Sequence, residues 1–245
     1  MKKIEFLYPE FCNIYGESYN MEYLGRCCKD LEIIRTRHTE VPAFVNSDVD
    51  MIYLGCLTER KQEQVIELLT PYKDRLKELI DNGTIFLITG NSLEIFGNEI
   101  KDESRSAGSV IPALGIFDFY TVRYMEADRH NSQYVGTFRD EDGFELTMLG
   151  HKSQFAFSYG DFFENNNFVD IEIGIGANPK IKSEGIHVNN FFATHSLGPY
   201  LIMNPLFAKY LLRKLGLEDR LEFEAEAVEA YEYRKAELIR NLGDK

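Results

Sequence analysis

Three short segments carry the residue types from which a reactive site could be assembled: Gly55-Cys56-Leu57, Gly90-Asn91-Ser92 with Glu94, and Thr194-His195-Ser196. Each lies at the end of a short apolar run, and in an open α/β sheet ligands bind beyond the carboxyl ends of the strands. The middle segment has the order strand, sharp turn, helix. That geometry sets a serine or cysteine nucleophile at a helix start, where the dipole stabilises its anion. At the tip stands Gly90, which has no side chain. Ser92 carries a hydroxyl, but at a helix start bonding to backbone is its commoner job, and no Ser, His, Asp order accompanies it. The four cysteines, Cys12, Cys27, Cys28 and Cys56, form no CxxC pair and read as reduced thiols. His38, His130, His151 and His187 have no ligand spacing, so no metal is expected. Gly174-Ile175-Gly176 is half a dinucleotide fingerprint, yet Pro179 stands where a third glycine belongs. No cofactor is expected either.

The elements that must position these residues are legible from periodicity. Lys3 to Tyr8 and Leu31 to Arg37 read as strands around a helix from about Ser18 to Lys29. Asp50 to Gly55 and Thr84 to Ile88 are continuous apolar runs, the form of strands buried on both faces. Between them Val65, Leu68, Leu69, Tyr72, Leu76, Leu79 and Ile80 mark one face of a helix over Glu59 to Asp81, ended by Asn82-Gly83. A short helix through Leu93, Ile95 and Phe96 follows Thr89, with Asn91 as N-cap and Glu94 three residues on. From Ile100 to about Thr194 aromatic and β-branched runs predict an antiparallel, β-rich half: Phe119 to Met125, Gln133 to Phe138, Glu145 to Leu149, Gln154 to Tyr159 and Phe168 to Ile175. Asn204 to Leu215 and Arg220 to Leu242 return to helix. The pattern predicts one α/β domain over residues 1–245, a mostly parallel sheet flanked by helices with an extra β-rich segment in its second half.

The balance of 27 basic against 40 acidic residues leaves a formal charge of −13, which repels phosphate backbones and anionic lipid. Nucleic acid is not an expected partner. No apolar stretch approaches the roughly 20 residues of a membrane span, and Glu5 and Pro9 interrupt the start before an export signal could form. A cytoplasmic protein is expected.

Five motifs in order, Leu7-Tyr8-Pro9 with Asn13, Tyr15-Gly16-Glu17 and Asn20, then Asp50 to Gly55 with Glu59-Arg60 and Gln62, Leu114 to Tyr120, Glu184-Gly185-Ile186 with Asn190, and Thr194 to Pro199, run through most of the chain. In these the sequence resembles the GatD-type glutaminase subunit of lipid II isoglutaminyl synthase, a relative of cobyric acid synthase glutaminase domains. The resemblance implies a class I glutamine amidotransferase fold, in which an elbow cysteine attacks the glutamine amide, a neighbouring histidine handles the proton, and ammonia passes to a Mur-ligase-like, ATP-using partner subunit. Against the family's Cys-Gly-Gly-Tyr-Gln elbow, counts back from Gly97 and forward from Gly83 both put Gly90 at the cysteine position. Against its Thr-Tyr-Leu-His-Gly-Pro strand, Leu197 takes the place of the histidine. The oxyanion loop, three glycines in the family, reads Gly55-Cys56-Leu57 here. Neither glycine nor leucine supplies an atom for thioester chemistry. The expected protein is therefore a family member without catalytic residues, its degenerate pocket formed by Gly55, Cys56, Leu57, Gly90, Asn91, Ser92, Glu94, His195 and Leu197, acting as a structural, regulatory or ligand-binding subunit.

Two other readings stay open on the sequence. Cys56 with His195, or Ser92, would serve a rearranged hydrolase. Alternatively the former glutamine pocket, with Asn91, Ser92, Glu94 and His195, would bind a small polar ligand such as glutamine or glutamate in a stand-alone protein. Free cysteine is more often a small buried hydrophobe, and His195 more often a satisfied strand residue, so the paired reading is the less favoured.

Overall fold

The computed structural model describes residues 1–104, 108–125 and 129–243. The first third alternates strand and helix: β1 (Lys2–Leu7), α1 (Tyr19–Cys27), β2 (Leu31–Thr36), α2 (Ala43–Asn46), β3 (Met51–Leu54), α3 (Glu59–Leu69), α4 (Lys73–Asp81) and β4 (Ile85–Thr89). The single helix expected over Glu59 to Asp81 is two, divided by a 3₁₀ turn at Thr70–Tyr72. Pro71 lacks the N–H that an uninterrupted ladder needs there, while the apolar stripe carries across the break.

A 3₁₀ helix over Gly90–Phe96 follows β4. Next come β5 (Glu99–Asp102), β6 (Ser109–Pro112), β7 (Tyr120–Arg123), β8 (His130–Arg139), β9 (Glu145–Gln154), β10 (Ala156–Tyr159), α5 (Phe162–Asn165), β11 (Val169–Ile173), β12 (Ser183–Glu184), β13 (Ile186–Val188) and β14 (Phe191–Thr194). The chain closes with α6 (Tyr200–Met203), α7 (Pro205–Lys214) and α8 (Glu224–Leu242). The β-rich second half is thus present, with β5, β6, β12 and β13 added to the strands expected.

The main sheet has the order β13-β14-β4-β3-β1-β2, and only β13 runs antiparallel to its neighbour. Every residue of β3, β4 and β14 is buried, as continuous apolar runs in the middle of a parallel sheet require. Two four-stranded sheets, β10-β7-β5-β6 and β12-β11-β8-β9, are built by the second half. One apolar cluster holds the inner faces of α1, α3, α4 and α7 against the parallel strands. Register decides the rest: Leu54 pairs with Ile88, and Thr89 with Thr194, so β3, β4 and β14 end side by side. The three chemically interesting loops leave the sheet at one edge.

Candidate functional site

The turn after β4 keeps the backbone of an elbow. Gly90 has φ of +66°, which only glycine adopts without cost, and its N–H donates to Ser196 O at 3.0 Å, tying the elbow to the loop after β14. A Cβ on Gly90 would lie 2.6 Å from Cys56 Cβ, 2.9 Å from Cys56 Sγ and 3.0 Å from Leu197 Cδ2. The volume that an elbow side chain needs is therefore occupied by side chains from the two other loops. The sequence expectation placed these three residues in one pocket, and the structure brings them into contact.

Cys56 is buried, with its Sγ 3.5 Å from Asn91 Oδ1 and 3.8 Å from Leu57 O. Burial pushes its thiol up to about 12, helped by the neighbouring Glu17 charge, so the nucleophilic thiolate is suppressed at neutral pH. Alkylation by iodoacetamide at pH 8 should leave Cys56 unmodified in the folded protein and label it once denaturant is added. Native labelling at the rate of an open thiol, read by peptide mass spectrometry, would contradict this.

His195 does not pair with Cys56. Its backbone N–H and its Nδ1–H both donate to the charged Glu184 Oε1, at 2.9 and 3.0 Å, while Nε2 is hydrogen-bonded to Ser158 Oγ at 3.1 Å. The Nδ1 proton follows from the Glu184 charge: burial raises that carboxyl, but the His195 hydrogen bond and the Lys152 charge outweigh burial and hold it below its ordinary value. Both ring nitrogens are engaged, and the chain Glu184, His195, Ser158 has the connectivity of a triad. Ser158 is fully buried and bonds Thr121 at 2.9 Å, so its hydroxyl meets no substrate. The relay braces β10 against β14.

Ser92 donates to Gly55 O at 2.5 Å, the backbone-bonding role expected of it. Asn91 is not the N-cap that its spacing to Glu94 predicted, because the residue flanking the 3₁₀ helix is Thr89 and no side-chain cap forms. The Asn91 carboxamide reaches across to Leu57 instead, accepting from Leu57 N–H and donating to Leu57 O, each at 2.9 Å. Glu94 points inward, where Gln62 Nε2 bonds its Oε2 at 2.8 Å and the Asn91 carbonyl at 2.5 Å, and Arg123 holds Gln62 Oε1 at 2.7 Å. Burial raises the Glu94 carboxyl.

Beneath the three loops lies Glu17, which the sequence singled out only as part of a motif. Its Oε1 accepts from Gly198 N–H at 2.7 Å, and its Oε2 accepts from Tyr53 OH at 2.9 Å and from Thr89 Oγ1. Burial pushes this carboxyl up to about 7 against those donations. A cavity of about 230 Å³ adjoins the loops, lined by Cys56, Asn91, Glu94, His195 and Leu197 together with the more exposed Tyr15, Glu59 and Arg129. Arg123 and Ser158 carried no local sequence signal for a place in or beneath this site, and Glu184, like Glu17, was singled out only as part of a motif. Among the described residues no cluster of His, Cys, Asp or Glu is placed to hold a metal ion, and no helix is long and apolar enough to cross a membrane.

No protein-family model matches the chain. A glutamine amidotransferase from Thermotoga maritima superposes with a TM-score of 0.50 at 10% identity, covering 98% of this chain and 97% of that one. The fold is that of the class I glutamine amidotransferases. By sequence the chain is 26% identical over 221 residues to the lipid II isoglutaminyl synthase (glutamine-hydrolyzing) subunit GatD of Staphylococcus aureus strain N315, spanning 89% of this chain and 85% of that protein. The subunit of the same description from Streptococcus pneumoniae strain ATCC BAA-255 / R6 is 22% identical over 218 residues, 85% of this chain and 78% of that protein. By sequence the chain is similar to GatD-type glutamine amidotransferase subunits over most of its length.

Proposed function

We propose that this chain is a GatD-type subunit that no longer hydrolyses glutamine and serves, in the cytoplasm, as a structural or regulatory component beside a second subunit. From the family resemblance that partner is a Mur-ligase-like, ATP-using protein. The description of the relatives as subunits supports an assembly of this kind. One observation carries the loss of hydrolysis: the space for an elbow side chain is filled by Cys56 and Leu197 around a bare Gly90. Without a nucleophile a triad typically loses on the order of 10⁶ in turnover. The thiol that fills the space is held protonated by burial, and the His195 imidazole is spent on Glu184 and Ser158.

The open cavity favours a second role alongside the first, retention of a small polar ligand such as glutamine or glutamate, since a purely structural relic has no need of it. The test is ammonia release from L-glutamine by the purified protein, alone and with the ATP-using subunit, beside the Cys56→Ala variant. Release is expected to stay at the level of that variant in both cases. Ammonia release that Cys56→Ala abolishes would refute the proposal.

A further inference from the structure

A nucleophile elbow is served by backbone N–H groups that hold the oxygen on which negative charge develops, one of them from the loop between a neighbouring strand and its helix. Here that loop runs from β3 to α3, and its donor facing the elbow is Leu57 N–H. In this chain the donor is taken: Asn91 Oδ1 accepts from it at 2.9 Å, and Asn91 Nδ2 returns a bond to Leu57 O at 2.9 Å. The two bonds fix the orientation of the amide, because turning it over would set donor against donor and acceptor against acceptor. Its carbonyl oxygen also lies 3.5 Å from Cys56 Sγ. Asn91 thus offers, from within the chain, the same primary carboxamide that a glutamine side chain would bring. The arrangement is braced from behind, where Gln62 Nε2 bonds Asn91 O at 2.5 Å and Arg123 grips Gln62. Gln62 and Arg123 are both buried.

We infer that Asn91 is an internal ligand of the Leu57 donor and determines which molecules the cavity accepts, excluding those that must seat a carboxamide or carboxylate oxygen beside the elbow. This rests on the proposed loss of hydrolysis and deepens it, since it removes the oxyanion site as well as the nucleophile. A ligand of the cavity would then be held from the Glu59, Glu94 and Arg129 side, and the elbow would contribute nothing to its binding.

The test compares wild-type protein with Asn91→Ala in calorimetric and NMR titrations using L-glutamine and L-glutamate as probes. Freeing Leu57 N–H should strengthen binding of both probes by roughly tenfold or more, the worth of one hydrogen bond to a charged or amide oxygen in a sheltered site. Equal affinity in the two proteins overturns the inference. A second measurement needs no variant: the Leu57 amide of the wild-type protein should exchange with solvent roughly a hundredfold more slowly than an open loop amide. Exchange at the open-loop rate overturns the inference as well. Because these readouts are binding and exchange, they fail separately from the proposed function, which ammonia release by the wild-type protein would refute.

Discussion

Glu17→Ala is expected to destabilise the protein by about 3–5 kcal/mol, because it removes the buried carboxyl that joins β3, β4 and the loop after β14, leaves Gly198 N–H without its acceptor and opens a cavity. Gly198 N–H, Tyr53 OH and Thr89 Oγ1 all donate to it, and the residue is fully buried. For a chain of this size that corresponds to a melting temperature lower by roughly 6–20 °C. Glu17→Gln keeps the shape and one acceptor and should cost less. It should also change the pH dependence. The folded-state value of Glu17 is raised to about 7 from an ordinary 4.5, with burial as the main cause, so the folded protein holds this proton more tightly than the unfolded chain does. The stability this linkage contributes is complete below pH 4.5 and is lost as pH rises to about 7. Glu5 and Glu94 are raised as well, so the total curve mixes several groups. The difference between wild type and Glu17→Gln isolates the one carboxyl, and it should move by about 3 kcal/mol against the wild type between those limits. Denaturant unfolding at intervals across that range measures it. A flat difference would mean that Glu17 is ionised throughout.

What the sequence revealed and what it hid divide along physical lines. The strands β3 and β4 were legible because a strand buried on both faces has to be apolar at every position, and the Gly90 elbow followed from the turn between strand and helix. The break at Pro71 was hidden by an apolar stripe that a 3₁₀ turn leaves on the same side. Asn91 misled for a better reason. Asparagine followed three residues later by glutamate is the local grammar of a helix start, yet the backbone of Leu57, 34 positions away, offered both a donor and an acceptor and won the side chain. The partners of His195 were out of reach of any local rule, since Glu184 and Ser158 sit on other strands and meet it only through the packing of three sheets. Residues that a site holds by tertiary contact leave no period and no spacing behind.

The elbow gives the second large effect. Gly90→Ala should destabilise the fold by about 2–5 kcal/mol: a side chain at φ of +66° is disfavoured, and its Cβ would lie 2.6 Å from Cys56 Cβ. The two costs separate in a double-mutant cycle. Cys56→Gly removes the atoms that the new Cβ meets at 2.6 and 2.9 Å, so Gly90→Ala should be cheaper in that background by about 1–3 kcal/mol, while the cost of the left-handed backbone remains. Additive effects would mean that the two side chains do not compete for one volume, and the filled-elbow account of this site would fall with them. The same cycle bears on chemistry. Gly90→Cys alone should unfold more easily than wild type and release no ammonia, because the thiol has no room and Leu197 offers no base. Activity that returned with that single substitution would mean that His195 can leave Glu184 and Ser158 to serve the elbow.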